Sequence, residues 1–443
     1  MGWIKSRLQM FFDESSIHGL KYITEKNRNW TERLFWIVAC IIATKFLVNY
    51  SLRTVVQVSQ NPISFVQETS YLRWNTDFPS VSVCETDADL GGIETTAEKL
   101  FGADRNVDID SYVREIAFFD GECPACDEIC KNEVECPGNF TAISALARVS
   151  CEELITDCQW NERIFDCCSN FLPLRTEIGP CFTINSIQTI EKPKLNMIVN
   201  SSTGPGTLSF LASREIFVFL HSKEDLPFVN TPAEFKEMVV LASEFTLTFQ
   251  VTEIDNDLSV READVSGRKC RFPLEASDLR EHDSYSYAAC VTECRLLAQN
   301  RLCNCTHHFM RASDVPVCTL DQIGCLTENS DILKKLKPPY SSADGLVCNC
   351  ESSCTEPDLA VVSKQTSAYD DDFHSKVFIQ MQNLPSTRFK RYVSKTNIDL
   401  FVTIGGLLGL YLGASLLSIV EIIYFLFVRK DSRAQESVIP FLK

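Results

Sequence analysis

The 443-residue sequence lacks the features that usually identify an enzyme or a nucleic-acid-binding protein. It contains no nucleophile elbow, no phosphate-binding loop and no paired His/Glu metalloprotease motif. Basic residues are in the minority, because 42 Lys and Arg stand against 59 Asp and Glu and give a formal net charge of −17. So acidic a chain is poorly suited to bind nucleic acid. We therefore expect no enzymatic activity, no cofactor and no nucleic-acid partner.

An apolar run of the signal-peptide type is also missing near the N-terminus. Residues 1–33 are polar and contain six Lys/Arg and four Asp/Glu. The first apolar run follows at residues 34–56 and includes Lys45, whose long side chain can reach the membrane surface or face a protein interior. We expect this run to be a transmembrane helix, although its length and polarity would also suit a buried helix.

Charge is almost absent from a second run near the C-terminus. Between residues 400 and 428 the only charged side chain is that of Glu421, and about 20 apolar residues suffice for a helix to cross a bilayer. Small residues recur on one face of this helix: Gly405, Gly406, Gly409 and Gly413. Such a stripe suits close packing of membrane helices. A deep carboxylate two turns further on instead favours a cation pore.

The cysteines and the flanking charges predict which segments lie outside the cell. Of the 21 cysteines, 20 fall within residues 57–398, and the exception is Cys40. Such density is typical of an oxidising, extracellular compartment. Positive charge is in excess in residues 1–33 and 429–443. By the positive-inside rule both termini are cytoplasmic, residues 34–56 and 399–428 are the spans, and residues 57–398 are extracellular.

The extracellular region divides into two cysteine-rich parts around a cysteine-free part. Residues 214–220 and 244–251, in the middle, are rich in β-branched and aromatic residues and predict strands of a packed sheet, while residues 142–154 and 287–300 are more helical. The fold class is therefore α+β. Three sequons predict N-glycosylation at Asn139, Asn200 and Asn304.

Several extracellular patterns admit a chemical interpretation that we do not favour. Cys123-Pro124-Ala125-Cys126 has the spacing of a redox pair but lacks a βαβ context. The segment from Cys303 to His308 has zinc-ligand residue types, yet extracellular thiols oxidise. The acidic runs at residues 255–257 and 370–372 are interpreted as solvated surface rather than calcium or proton sites. The extracellular histidines form no cluster in sequence that would indicate proton sensing: His221, His282, His307, His308 and His374.

Motifs along nearly the whole chain resemble the degenerin/epithelial sodium channel family, and most of all its insect pickpocket branch. His18-Gly19 resembles the family's gating motif, and Asn61-Pro62 with residues 74–84 resembles the start of its ectodomain. Residues 179–185 and 268–272 are similar to two further signatures. The most specific likeness is the second cysteine block, which begins at Tyr285 and ends at Cys354.

The resemblance implies a set of disulfides that sequence alone cannot choose. The implied pairs are Cys270 with Cys354, Cys290 with Cys350, Cys294 with Cys348, Cys303 with Cys325, Cys305 with Cys318, Cys84 with Cys181, and Cys158 with Cys167 or Cys168. Six cysteines remain, an even number that allows three extra bridges: Cys123, Cys126, Cys130, Cys136, Cys151 and one of Cys167 and Cys168.

The resemblance also implies a trimer, with two membrane helices per subunit and an ectodomain that has a β-sheet palm and helical thumb and finger lobes. Gly413-Ala414-Ser415 would be the selectivity filter, where the second helix is interrupted. Gly405, Gly406, Gly409 and Glu421 would line the pore. His18, Gly19 and Val402 would act in gating. The family usually has a small residue at the position of Val402, and bulk there favours the open state.

We therefore expect a voltage-independent, amiloride-sensitive sodium channel subunit in the plasma membrane. Na⁺ is the permeating ion, and the partners are membrane lipid, identical or related subunits and an extracellular ligand or matrix. The stimulus, which could be chemical, mechanical or osmotic, stays open. The alternative is a non-conducting auxiliary subunit or surface receptor that acts with another channel subunit. A purinergic-type trimeric channel shares the two-span layout but has a different cysteine pattern.

Overall fold

The computed structural model of the chain describes residues 11–12, 14–25, 28–60, 62–69, 74–87, 90–102, 107–130, 136–191, 194–310 and 313–428. The expected cytoplasmic residues 429–443, the first ten residues and Asn61 of the expected Asn-Pro motif lie outside these ranges. The chain forms two compact units. One comprises residues 1–64, 258–268 and 392–443, and the other comprises residues 65–257 and 269–391.

The helices, in chain order, are α1 Leu20–Thr24, α2 Trp30–Gln60, α3 Leu90–Phe101, α4 Val107–Ala117, α5 Pro124–Glu128, α6 Phe140–Ala147, α7 Cys151–Leu154, α8 Leu258–Glu262, α9 Val265–Arg268, α10 Tyr287–Cys303, α11 Leu320–Glu328, α12 Ser330–Lys334, α13 Asn397–Leu412 and α14 Leu416–Ile423. A π-helical turn, Tyr424–Val428, follows α14.

The strands are β1 Ile63–Glu68, β2 Thr76–Asp77, β3 Ser80–Glu85, β4 Ile155–Trp160, β5 Arg163–Ile164, β6 Leu172–Thr176, β7 Gly179–Ile184, β8 Ile198–Val199, β9 Thr207–Ala212, β10 Ile216–His221, β11 Lys236–Val239, β12 Ser243–Asn256, β13 Cys270–Arg271, β14 Ser352–Ser353, β15 Asp358–Ala368, β16 Ser375–Met381 and β17 Arg388–Val393.

Two sheets enclose the main core of the larger unit. One sheet contains the order β17-β12-β16-β9-β4-β5, with β15 antiparallel to β12, and the other has the order β11-β10-β3-β7-β6. The predicted strands at residues 214–220 and 244–251 correspond to β10 and β12. In β12, residues 243–251 alternate between buried and more accessible positions, as expected of a strand with one face on a core. Phe245, Leu247 and Phe249 lie on its buried face, and Val83 and Val218 of the other sheet belong to the same cluster.

A second core of the same unit is built from helices and cysteines. Ile109, Tyr112 and Ile116 on α4 pack with Ile143 on α6 and with Ile323 on α11. The predicted helical segment 142–154 is divided into α6 and α7, because Arg148 already has an extended backbone. Helix α6 begins where the Asn139 side chain accepts a hydrogen bond from the Ala142 N–H, so this sequon also serves as an N-cap.

Ten disulfides hold the described part of the larger unit. Each pair implied by the resemblance is present in the structure, with Cys158 bonded to Cys167 rather than to Cys168. The extra bridges join Cys123 to Cys126, Cys130 to Cys136 and Cys151 to Cys168. Cys40 is free. The Cys270–Cys354 bridge closes a loop of 84 residues and the Cys84–Cys181 bridge closes one of 97 residues. Because they close the longest loops, these two bridges restrict the unfolded chain most.

Candidate ion pathway

The second apolar run is a broken helix. Helix α13 ends at Leu412, α14 begins at Leu416, and the two axes meet at 74°. By length and composition, α2 is the one described helix that could cross a membrane alone, and α13 with α14 could do so as a bent pair. The structure thus places an interruption at Gly413-Ala414-Ser415, the segment that the resemblance implied.

Gly413 makes this interruption sterically feasible. Its φ is +64°, in the left-handed region that favours glycine. Its N–H donates to the Gly409 carbonyl at 2.9 Å, and the Ala414 N–H donates to the Leu408 carbonyl at 3.3 Å, so these two carbonyls near the end of α13 are bonded. The Ser415 N–H donates to the Ser418 Oγ at 3.1 Å, which satisfies an amide at the start of α14.

The prediction that four glycines share one helical face is wrong for Gly413. Gly413 lies beyond the end of α13, because its backbone leaves the helical conformation there. Gly405, Gly406 and Gly409 remain on one helical face, and Val402, three residues before Gly405, lies on that same face. Val402 is 64% exposed, and a Cβ on Gly405 or Gly406 would meet nothing within 4 Å. This glycine face of α13 is therefore uncovered in the single chain.

The N-terminal segment packs directly against the break. The His18 N–H donates to the Leu412 carbonyl at 2.9 Å. An ideal Cβ on Gly413 would lie only 1.7 Å from the His18 Nδ1, so the imidazole occupies the space that a side chain at Gly413 would need. The His-Gly pair and the Gly-Ala-Ser segment, nearly 400 residues apart in sequence, therefore form one structural site.

Contacts of α14 extend this site. The Ser16 and Ser418 hydroxyls are 2.8 Å apart, and the Ser16 N–H donates to the Glu421 Oε2 at 3.3 Å. The Glu421 carboxylate thus contacts the N-terminal segment of its own chain. Neither Ser16 nor Ser418 was expected to belong to the site, since no local pattern marks a contact between residues more than 400 positions apart.

The turn at His18-Gly19 also contacts α2. The Cys40 Sγ lies 3.9 Å from the His18 carbonyl oxygen, and a Cβ on Gly19 would lie 2.6 Å from that sulfur. The Tyr22 ring on α1 stacks near the Trp36 ring with centroids 4.7 Å apart. Gly19 is therefore a position of close approach, and the turn connects α2 to the break in the second apolar run.

Three histidines of the larger unit are buried, which opposes their protonation near neutral pH. Burial lowers the pKa of His221 and of His282 to about 4, and it lowers the pKa of His307 well below its usual value. His374 is paired with Asp371, with 2.8 Å between Nδ1 and Oδ2, on the accessible acidic run 370–372. Among the described residues, no group of three or more His, Cys, Asp or Glu side chains could hold a metal ion.

A carboxyl group with a strongly raised pKa lies elsewhere in the larger unit. Burial, together with the nearby carboxylates of Asp225 and Glu224, raises the pKa of Glu356 to about 8. Glu224 itself accepts hydrogen bonds from the hydroxyls of Ser353 and Thr355. Sequence reasoning missed this group, because burial, and not a motif, changes its pKa.

This carboxyl makes stability depend on pH. Folded Glu356 keeps its proton up to about pH 8, whereas the unfolded residue ionises near 4.5, so the free energy of unfolding falls as pH rises between these values. We expect Glu356→Gln to stabilise the chain by ~1–2 kcal/mol at pH 7.4 and to have no effect below pH 4.5. Thermal unfolding at both pH values measures this difference. Glu98→Gln, at an exposed position on α3, is the matched control, and an equal shift in both variants would contradict the assignment.

The sequon asparagines have different surroundings. Asn139 and Asn304 are exposed, whereas Asn200 is partly buried and its Nδ2 donates to the Asn75 Oδ1 at 3.0 Å. Glycosylation at the three positions stays a prediction.

Comparison with known proteins identifies the family. The family model described as "Amiloride-sensitive sodium channel" matches residues 11–425. Pickpocket protein 19 of Drosophila melanogaster is 23% identical over 466 residues, covering 95% of this chain and 90% of that protein. Sodium channel protein Nach of Drosophila ananassae is 22% identical over 473 residues, covering 96% and 87%. The bile acid-sensitive ion channel of Mus musculus is 24% identical over 462 residues, covering 95% and 87%. The chain therefore belongs to the degenerin/epithelial sodium channel family, a family of ion channels and not of enzymes, and is similar to its insect pickpocket and Nach members.

Proposed function

We propose that this chain is a subunit of a sodium-permeable, voltage-independent cation channel that amiloride blocks. The observation that carries the proposal is the break at Gly413-Ala414-Ser415 with the His18-Gly19 turn bonded against it. An anchor helix needs neither an interruption nor a second segment packed on it. Irregular backbone at membrane depth is tolerated where it lines a water-filled path.

The proposed topology has two spans, α2 and the broken helix formed by α13 and α14, so both ends of the chain lie on the same side of the membrane. The excess of positive charge in residues 1–33 and 429–443 assigns that side to the cytoplasm and residues 57–398 to the outside. The ten disulfides, all between residues 84 and 354, support this placement because such bonds persist outside the cytosol. The free Cys40 lies on α2, as expected of a residue that never reaches the oxidising compartment. The plasma membrane is the proposed location.

The pore is proposed to lie on the axis of a trimer, formed with identical or related subunits. Three copies of the glycine face of α13 would line its outer half, and three Gly413-Ala414-Ser415 segments would surround the permeating Na⁺. Carbonyl and hydroxyl oxygens freed by the break are suitable ligands for a partly hydrated cation. Three Glu421 carboxylates would attract cations to the inner half.

Val402 is proposed to influence the gate. It lies on the same face as Gly405 and Gly406 and is exposed in the single chain, so copies of this side chain would approach one another around a threefold axis. A bulky side chain there would hinder close packing of the helices and so favour the open state. The opening stimulus is proposed to be extracellular, whether chemical, mechanical or osmotic.

Whole-cell recording from cells that express the chain alone tests the proposal. We expect a standing inward current that falls when external sodium is replaced by a large organic cation and when amiloride is added. Val402→Gly is expected to reduce this current at least about twofold at equal surface expression, since a small residue lets the helices close. Thr403→Ser, a change at the neighbouring position away from the glycine face, is the control. A current unchanged by sodium replacement would contradict the proposed selectivity.

The second candidate is a non-conducting auxiliary subunit or receptor that works with a related subunit. The uncovered glycine face of α13 is compatible with packing against a different subunit. Surface-expressed chain that is silent alone, but changes the current of a co-expressed pickpocket subunit even when it carries Gly413→Arg, would favour this candidate over a pore-forming role.

A further inference from the structure

A cavity of about 310 Å³ in the larger unit has an unusual distribution of charge. Its charged lining residues are Arg148, which follows α6, and Arg175 on β6, and no carboxylate is among the described residues that line it. The Ser144 and Thr176 side chains also line it. A neighbouring cavity of about 460 Å³, which Arg148 also lines, is different because four carboxylates line it: Glu85, Asp87, Asp120 and Glu177.

Arg148 is held in place without a direct ion pair. Its Nε donates to the Ala117 carbonyl at 2.8 Å, its Nη1 is 3.4 Å from the Pro180 carbonyl oxygen, and its guanidinium lies 4.3 Å from the centre of the Phe118 ring. In the described part of the chain, no carboxylate lies within 4.0 Å of this guanidinium. Burial lowers its pKa to about 10, and the more distant Glu85 and Asp87 only partly oppose this effect.

The backbone around the cavity accommodates the guanidinium closely. Gly179 has φ +115°, a conformation that favours glycine, and a Cβ built there would lie 2.6 Å from the Arg148 Nη2. Arg175 reaches the cavity from an exposed position on β6, and it too has no carboxylate within 4.0 Å among the described residues. Arg295, which is buried, is by contrast paired with Glu177.

We propose that this cavity binds a small organic anion, a carboxylate with an apolar body. The two guanidinium groups supply charge-assisted hydrogen bonds to the carboxylate, with the hydroxyl of Ser144 beside them. Ala145, Val149, Pro180 and Phe309 give the rest of the lining an apolar character that suits an aliphatic body. The volume exceeds what one inorganic ion fills, and a cavity with no carboxylate among its described lining residues does not suit an organic cation. Binding does not depend on whether the chain conducts.

Ligand-observed NMR on the purified full chain in nanodiscs tests the site with cyclohexanecarboxylate and its neutral counterpart cyclohexylmethanol. We expect the carboxylate to bind with a Kd of about 1 mM or tighter, and about tenfold more tightly than the alcohol, which corresponds to about 1.4 kcal/mol. Arg175→Gln is expected to remove most of that preference and leave binding of the alcohol unchanged. Added salt should weaken carboxylate binding alone, by screening.

Matched variants distinguish binding in this cavity from a general effect of charge or of a bulky side chain on the protein. Arg163→Gln, at an exposed position on β5 outside the cavity, removes the same charge and is expected to leave both affinities unchanged. Ala145→Trp fills the cavity from α6 and is expected to abolish binding of both probes. The neighbouring residue Leu146 is exposed and does not line the cavity, so Leu146→Trp is expected to leave binding of both probes unchanged. Equal affinity for the two probes, or equal effects of Arg175→Gln and Arg163→Gln, would overturn the proposal. So would binding that survives Ala145→Trp.

Discussion

Adding a single methyl group at Gly413 is expected to abolish the sodium current that we propose for this chain. The new Cβ in Gly413→Ala would lie 1.7 Å from the His18 Nδ1, far inside van der Waals contact, and the residue would have to keep φ at +64°. The left-handed conformation costs an L-residue about 1–2 kcal/mol before any clash is counted. Either α13 extends through the break or the His18-Gly19 turn leaves it. Whole-cell current at measured surface expression is expected to fall at least about tenfold.

Gly406→Ala is the matched control for this experiment. It adds the same methyl group to the same apolar run, but its Cβ meets nothing within 4 Å in the single chain, and its backbone is helical. It is expected to retain most of the current and to traffic normally, because the same face of α13 already carries the larger side chain of Val402. If Gly413→Ala conducts like the wild type, the left-handed break and its contact with His18 are not needed for conduction. Equal losses in both variants would place the effect in helix packing instead.

The broken helix shows which parts of the candidate ion pathway could be predicted from sequence. Composition predicts the apolar run, and the glycine spacing predicts the uncovered face with Gly405, Gly406 and Gly409. Composition alone predicts a continuous helix through Gly413, because a left-handed glycine and a helical glycine look alike in sequence. The resemblance supplied the interruption. The contacts of Ser16 with Ser418 and Glu421 were missed, since they depend on the return of the N-terminal segment to the break.

The larger unit likewise has features that could be predicted from the sequence and features that could not. Alternating apolar residues predicted β12, and the family pattern implied the long-range disulfides, whereas spacing alone left the pairings open. The partner of Cys158 required the structure, because Cys167 and Cys168 are adjacent and both were candidates. The buried ion pair of the larger unit could not be predicted from the sequence. Glu177 and Arg295 are 118 residues apart, and each looks like an ordinary surface residue in its local sequence.

Breaking the Glu177–Arg295 pair is expected to destabilise the larger unit strongly, because both side chains are buried. The side chains are 0% and 3% exposed, and the Arg295 Nη1 donates directly to the Glu177 Oε2. Arg295 also donates from Nε to the Leu333 carbonyl at 2.8 Å, and the Glu177 Oε1 accepts from the Val229 N–H at 2.7 Å. The pair therefore connects the turn after β6 and the loop after β10 to α10 and α12.

Glu177→Gln is expected to lower the free energy of unfolding by about 3–5 kcal/mol, because it leaves a buried guanidinium without its counter-charge. Denaturant unfolding of the purified chain, followed by tryptophan fluorescence, measures the loss. Glu122→Gln breaks the exposed ion pair of Glu122 with Lys334 by the same substitution, and it is expected to cost less than about 1 kcal/mol.

A double variant distinguishes the loss of the attraction between Glu177 and Arg295 from the cost of leaving one buried charge unpaired. Glu177→Leu combined with Arg295→Met removes both charges and fills similar volume, and buried ion pairs replaced in this way often lose little stability. We expect the double variant to be more stable than Glu177→Gln alone. If it is instead the least stable of the set, the hydrogen bonds from Arg295 to Asn230 and Leu333 matter more than the charge pair. If Glu177→Gln is as mild as Glu122→Gln, the buried pair does not hold these elements together.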